Sequence, residues 1–180
     1  MGKTFTVDIL SPSSIEKLKK DLQQYQKDLK TKTENLASRL AERGVEIAQM
    51  KIVELDAVFS GELLESIRNE RDLNSENRYD AVFVVVADST HAAFVEFGTG
   101  YQGLNSSYPY NFPDGVTWNY NTGKTIRYNE ATGTYYWFYP GDDGKWHYTE
   151  GMPSRPFLYE TANQLRQEVE EIAREVFADA

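Results

Sequence analysis

The sequence has no cysteine and only two histidines among its 180 residues. The lack of cysteine excludes disulfide bonds, thiolate metal ligands and cysteine nucleophiles. His91 and His147 leave little material for a zinc site or a catalytic triad, so we expect structural or surface roles for both. Basic residues are fewer than acidic ones, 19 against 28, and the net charge is −9. Because binding driven by phosphates needs lysine and arginine, this balance argues against tight nucleic-acid binding.

Long apolar runs are also missing from the chain. The longest run, Ala81–Ala87, has seven residues, whereas a membrane-spanning helix needs about 20. The N-terminal stretch 1–14 has no apolar core of the kind found in secretory signals. We therefore expect a soluble protein, made in the cytoplasm, that does not act at a membrane.

A long helix is predicted near the N-terminus, with Ser11 as a possible N-cap and Pro12 at the first helical position. Its apolar residues follow one another at steps of three and four, with one step of seven after Leu29: Ile15, Leu18, Leu22, Tyr25, Leu29, Leu36 and Leu40. Lys32 interrupts this near-heptad spacing, and Gly44 is a place where the helix could end or bend. The pattern fits packing on the chain's own domain or contact with a helix of another subunit, and both interpretations stay open.

The remaining elements predict an α+β fold, because helices and strands do not alternate as they do in a parallel α/β sheet. We predict a second helix over Ser60–Arg71 and an antiparallel pair of strands at Tyr79–Ala87 and His91–Phe97. A last helix is predicted over Arg155–Phe177 with a regular buried stripe. Its outer face is expected to be acidic, with these glutamates: Glu168, Glu170, Glu171 and Glu175.

Aromatic residues are concentrated in one segment of 48 residues, 101–148, which holds 14 of the chain's 24. Turn sequences separate three short stretches there, Lys124–Tyr128, Thr134–Tyr139 and Lys145–Tyr148, which predict a β-meander. We therefore predict a single domain over 1–180, with an aromatic-rich β-hairpin insertion over 101–149.

Three short motifs suggest cofactor sites but lack the context that such sites need. Gly98–Gly103 matches G-x-G-x-x-G, yet Pro109 and Pro113 leave no room for the helix that a dinucleotide site requires. The stretch 123–125 lacks the first glycine of a phosphate-binding loop, and 142–144 lacks the spaced ligands of a calcium loop. We therefore expect no cofactor, no metal and no enzymatic activity.

Glu96 is the acidic residue of greatest interest, because it lies in an apolar stretch. A buried carboxylate is costly unless it has a partner. We predict that Arg155, just before the last helix, forms a structural salt bridge with Glu96.

Three blocks of this sequence resemble elements of one protein family. Ser60–Ile67 (SGELLESI) is similar to its TG-x-L-x-x-SI element, Ala93–Gly100 (AFVEFGTG) to its YVEFGTG element, and Ser154–Leu158 (SRPFL) to its ARPFL element. The family comprises the minor neck and tail-completion proteins of long-tailed bacteriophages. The resemblance covers about residues 15–100 and 150–178, and it carries these candidate structural residues: Glu96, Phe97, Gly98, Thr99, Gly100, Arg155, Pro156 and Phe157. The sequence departs from the family at Asp56–Gly61, where a P-x-D-T-G run is usual, and in the long spacer that holds the aromatic segment.

The resemblance implies a virion structural protein without catalytic activity. Such proteins are similar to ring-forming components of the head–tail joint, which bridge the head-closure proteins and the tail while DNA passes through the centre. We expect the chain to assemble with itself and with adjacent neck and tail proteins, in the bacterial cytoplasm and then in the virion. An acidic lumen would let DNA pass without specific binding.

The aromatic insertion allows two interpretations. In one, its rings form a small core and an interface for a neighbouring protein. In the other, they form a platform for a cell-surface glycan, since Gly133–Tyr148 (GTYYWFYPGDDGKWHY) resembles a choline- or glucan-binding repeat. The candidate interface residues are Trp118, Tyr120, Tyr136, Trp137, Tyr139 and Trp146.

Overall fold

The computed structural model describes residues 4–58, 61–72, 82–118, 126–141 and 143–178. Within them the chain is α+β, as predicted. The elements are α1 (Pro12–Glu54), α2 (Glu62–Glu65), β1 (Ile67–Asp72), β2 (Val82–Ala87), α3 (Ala92–Phe97), α4 (Gly100–Asn105), β3 (Arg127–Asn129), β4 (Thr134–Pro140), β5 (Trp146–Thr149), β6 (Gly151–Met152) and α5 (Phe157–Ala178).

Helix α1 begins where the capping residues predict and continues past the glycine where we allowed a break. The Ser14 N–H donates to the Ser11 side-chain oxygen at 3.3 Å, which satisfies one of the unpaired amides of the first turn. At Gly44 a Cβ would come within 2.7 Å of Val85 and 3.1 Å of Leu165. Gly44 therefore permits close packing within the helix rather than ending it.

The second helix and the first strand pair differ from the prediction. Helix α2 ends at Glu65, and β1 starts at Ile67 inside the region predicted as helix 60–71. Ser60 and residues 79–81 lie outside the described residues. Strand β2 pairs with β1 and not with 91–97, so the predicted antiparallel pair is wrong. Pairing with a valine-rich strand outweighs the weak helical preference of 68–71.

The segment predicted as the second strand of that pair is helix α3. Its buried residues, Ala92, Val95 and Glu96, are spaced three and four apart, which is the period of a helix. A short, almost continuously apolar stretch fits both periods, so its sequence could not distinguish a strand from a helix.

The chain divides into two compact units, and the first consists of Met1–Glu46, Asn69–Val85 and Gln164–Ala180. In it, α5 packs on α1 through ion pairs. Arg43 donates to both carboxylate oxygens of Glu168, at 2.6 and 3.1 Å, and Arg39 donates to Glu175 at 2.6 Å. The prediction of an outer acidic face is therefore wrong for Glu168, whose half-buried carboxylate lies against α1. The side chain of Glu175 is 55% exposed, so it stays on the outer face although it pairs with Arg39.

The second unit consists of Ile47–Arg68 and Val86–Asn163. In this unit the side chains of Ile47, Ile52 and Phe157 are fully buried. The predicted meander is confirmed as an antiparallel sheet in the order β3-β4-β5. The single-domain organisation over 1–180, with its insertion at 101–149, stays a prediction.

Candidate functional site

Two of the sequence blocks that carry the family resemblance, 93–100 and 154–158, lie together in the second unit, although Glu96 and Ser154 are 58 residues apart in the chain. Thr99 and Gly100 form antiparallel bridges with Met152 and Gly151. The Arg155 N–H donates to the Val95 carbonyl at 2.8 Å. The Ser154 hydroxyl donates to the Glu96 carbonyl at 2.6 Å. The end of α3 and the segment before α5 are therefore joined by backbone hydrogen bonds.

Glu96 sits at the centre of this junction, with 4% of its surface exposed. Its carboxylate accepts hydrogen bonds from the N–H groups of Leu158 at 2.9 Å and Tyr159 at 3.2 Å. These amides belong to the first turn of α5, where N–H groups have no partner inside the helix and attract negative charge. Glu96 thus caps α5 from a distant part of the chain.

Burial raises the pKa of Glu96 to about 7. The two backbone hydrogen bonds lower the pKa, but they do not offset the loss of solvent, and the nearby charge of Glu160 raises it further. The predicted salt bridge with Arg155 is wrong, because the partner of the carboxylate is the start of α5. Arg155 contributes its backbone instead.

The remaining residues of the second block anchor the start of α5. Phe157 is 0% exposed and Pro156 is buried. Pro156 precedes the first residue of the helix, where a missing N–H costs nothing. The Thr161 hydroxyl donates to the Phe157 carbonyl at 2.7 Å, which completes a buried first turn.

The glycines of the G-x-G-x-x-G match serve close backbone packing. Gly98 has φ 77°, and a Cβ there would come within 2.7 Å of the Ser154 nitrogen. Gly100 has φ 60°, and a Cβ there would overlap the ring of Trp137. The helix that follows, α4, has six residues, which is shorter than the helix of a dinucleotide site. The glycines therefore hold the junction together.

Several rings of the aromatic segment pack around Phe97 of the first block. Trp118 lies 5.3 Å from Phe97 between ring centroids, and its indole N–H donates to the Gly98 carbonyl at 2.7 Å. Tyr108 lies 5.1 Å from Phe97, and Phe112 lies 5.4 Å from it. Part of the aromatic segment therefore forms a core over the VEFGTG-like block.

The predicted interface residues fall into two groups. Trp137 is buried and Trp118 is half-buried, so both belong to the core. Tyr139 is 42% exposed and Trp146 is 69% exposed. Half-buried Tyr136 stacks on Tyr148 at 5.1 Å. Tyr120 lies outside the described residues.

Three residues that the sequence interpretation did not single out complete the site. Tyr110 stacks on Tyr159 with 3.6 Å between ring centroids, and its hydroxyl donates to Glu160. The sequence gives no signal that these residues meet, since Tyr110 and Glu160 are 50 residues apart. Only the fold brings them to the first turn of α5.

A cavity of about 660 Å³ lies beside Phe97 and Trp118. Aromatic rings form much of its wall: Phe97, Tyr101, Tyr108, Phe112, Trp118 and Tyr135. Thr99 and Ser107 also line it, and none of its lining residues, all of them described, is charged. Its size falls within the range of small-ligand sites.

The two histidines lie in different surroundings. Within the described ranges, no three histidine or acidic side chains are grouped so that they could hold a metal ion. His147 contacts Asp143 at 2.9 Å, and this hydrogen bond lowers the pKa of Asp143. His91 packs edge-on against Phe94 at 6.4 Å.

No protein-family model, curated protein or solved structure matches this chain. In the part of the chain that the structure describes, none of the helices has the length and apolar character needed to span a bilayer.

Proposed function

We propose that this chain is a non-enzymatic structural subunit of the head–tail joint of a long-tailed bacteriophage. In this role it forms a ring with copies of itself and links the head-closure proteins to the tail. DNA passes through the ring without specific binding, and the net charge of −9 supports this part of the proposal.

The observation that carries the proposal is the junction of the two family-like blocks. The residues that resemble the neck and tail-completion proteins are used for structure: Glu96 caps α5, Phe157 fills the core, and Gly98 allows close backbone approach. This is the use that a shared scaffold of structural proteins requires. The blocks are far apart in sequence, so their pairing supports a common fold better than either block alone.

Deletion of the gene from the parent phage tests the proposal. We expect DNA-filled heads and finished tails that stay separate in the electron microscope, and joined particles once the purified protein is added. Mass spectrometry of complete virions should detect the chain in a ring-like copy number. Normal virions from the deletion phage, or virions that lack the chain, would overturn the proposal.

The exposed rings of the β4–β5 hairpin are the part of the insertion most suited to contact a neighbouring neck or tail protein. A Tyr139→Ser/Trp146→Ser variant is expected to fold normally and to restore joining poorly. Tyr128→Ser is the matched control, because Tyr128 is 54% exposed on the neighbouring strand β3. Equal joining by both variants would mean that these two rings make no essential contact.

The aromatic cavity favours a second candidate function, a binding module for a cell-surface glycan. Rings and hydroxyls without charged groups suit a neutral sugar, whose apolar face packs on rings while its hydroxyls form hydrogen bonds. Under this candidate the chain would bind purified cell-wall glycan of the host, and Ser107→Trp, which puts a bulky side chain at an exposed lining residue of the cavity, would abolish binding. A deletion phage that assembles normally but fails to adsorb would favour this function over the first.

A further inference from the structure

The first turns of α1 carry an apolar seam that is exposed to solvent. We call Ile15, Leu18, Leu22, Tyr25 and Leu29 the α1 seam. Ile15 is 47% exposed, Leu22 45%, Tyr25 38% and Leu29 43%, while Leu18 is half-buried. The ring centroids of Phe5 and Tyr25 are 5.9 Å apart in an edge-on arrangement, so Phe5 covers Tyr25 in part. Steps of three and four residues are typical of a helix that packs along another helix.

In the C-terminal part of α1 the apolar face of the helix is buried. Ala41, Ile47, Ala48 and Ile52 are all less than 10% exposed. The seam stops at Lys32, whose ammonium lies 5.8 Å from the centre of the Phe177 ring of α5. The exposed seam therefore ends at the point along α1 where packing against α5 starts. Apart from Phe5 at Tyr25, no helix or strand among the described residues covers the seam.

Charge distinguishes the seam region from the rest of the protein. Over 12–33 there are six lysines and three acidic residues, so this stretch carries +3. The whole chain carries −9, so the other residues together carry −12. The seam is thus a basic amphipathic surface on an acidic protein, and its charge complements most of the surface of a second copy.

Pairing of two α1 seams would bring like charges together, which is unfavourable at facing helical positions. Contact with an acidic surface of another copy avoids this repulsion. Helix α5 offers such a surface at Val169–Glu171, which we call the α5 acidic stretch. Val169 is 39% exposed and Glu171 is exposed. The Glu170 side chain is 76% exposed and forms a surface ion pair with Arg174, one turn further along the same helix, and such an exposed pair is weak enough to be exchanged for another cation.

We propose that the α1 seam of one copy docks on the α5 acidic stretch of the next copy. Leucine side chains cover the apolar Val169, while lysines such as Lys17 and Lys20 face the two glutamates. The two surfaces are different, so the contact is head-to-tail, and a head-to-tail contact closes into a ring when the rotation per subunit permits. This inference rests on the proposed ring-forming function and names its interface.

Mass measurement of the purified full-length chain tests the contact. At low ionic strength we expect species larger than the 20.6 kDa protomer, and their fraction should fall as salt screens the charges. Leu22→Glu/Leu29→Glu should weaken association by about tenfold or more, because it puts acidic groups where apolar area is buried. Val53→Glu/Val58→Glu is the matched control, since Val53 is 59% and Val58 47% exposed outside the seam, and this double variant should not affect association.

Two outcomes of the mass measurement would overturn the proposal. One is a wild-type chain that stays at 20.6 kDa at every concentration. If such a chain sediments with vesicles that contain phosphatidylserine, the seam binds a lipid surface instead of a second copy. The other is association that the double seam variant does not reduce, with circular dichroism showing that the variant is folded.

A charge exchange tests whether α5 is the opposing surface. Lys17→Glu/Lys20→Glu should weaken association, and Glu170→Lys/Glu171→Lys in the same chain should restore it. Failure of the second pair to restore association would overturn the assignment to α5.

The interface and the proposed function can fail separately. If deletion of the gene blocks head–tail joining but the seam variants still restore it and still associate, the interface is wrong and the function stands. If complete virions lack the chain, the function is wrong whatever the mass measurements show.

Discussion

Replacement of Glu96 with glutamine is expected to change how the stability of the protein depends on pH. The carboxylate is 4% exposed and accepts two N–H groups from the first turn of α5. Each carboxylate oxygen accepts one of these N–H groups, so the single side-chain oxygen of glutamine can keep one bond while its amide nitrogen loses the other. The substitution therefore removes the buried charge and keeps part of the cap, and the loss of the second hydrogen bond does not itself depend on pH.

The magnitude follows from the pKa of Glu96, which burial raises from 4.5 to about 7. A carboxyl group whose pKa is raised in the folded state contributes stability that is present below pH 4.5 and is lost as pH rises to about 7. At about 1.4 kcal/mol per pKa unit, the loss amounts to about 3 kcal/mol. Relative to the wild type, the free energy of unfolding of Glu96→Gln should increase by about this amount between acidic and mildly alkaline pH.

Urea unfolding, followed by tryptophan fluorescence at several pH values from about 4 to about 8, measures this difference. Glu65→Gln, at an exposed position of the same unit, controls for the loss of one negative charge. A wild-type-to-variant difference that does not change with pH would refute a raised pKa. A difference of opposite sign would mean that the charged carboxylate is stabilised, as a salt bridge with Arg155 would have done.

Three further substitutions test the packing and the ion pairs. The hydrogen bond with Arg43 lowers the pKa of Glu168 from 4.5 to about 2. The stability that ionised Glu168 contributes is therefore lost as pH falls from 4.5 toward 2, and Glu168→Gln should flatten this part of the curve of unfolding free energy against pH. Phe157→Ala should cost about 3–5 kcal/mol in urea unfolding, because Phe157 is 0% exposed; a loss below about 1 kcal/mol would mean that the site is not a packed core. Gly151→Ala should lower the melting temperature measurably, because Gly151 has φ 95° and a Cβ would overlap the Thr99 carbonyl; an unchanged melting temperature would contradict the bridge.

The elements with long, regular patterns were predictable from the sequence. The start of α1 at Pro12, the helix that contains Phe157 and the three-stranded meander all follow from caps, apolar spacing and turn residues. The errors fall on short stretches. Residues 67–72 form strand β1 and residues 92–97 form helix α3, because partners distant in the chain decided between two nearly equal local preferences.

The candidate site was predictable in part. An acidic residue within an apolar stretch indicates burial, and Glu96 is buried. Its partner could not be deduced, because backbone N–H groups occur at every position and leave no mark in the sequence. Likewise, composition located the aromatic segment, but only packing separated buried Trp137 from exposed Trp146.

The sequence by itself determined the fold class, the absence of thiol chemistry and the regions that carry charge and aromatic rings. These are properties of composition and of short-range periodicity. The tertiary structure decided which residues meet: Glu96 with the start of α5, Arg43 with Glu168, and Phe97 with Trp118. Such contacts depend on how distant segments share a limited apolar surface, and this is set by the whole chain rather than by any one stretch of it.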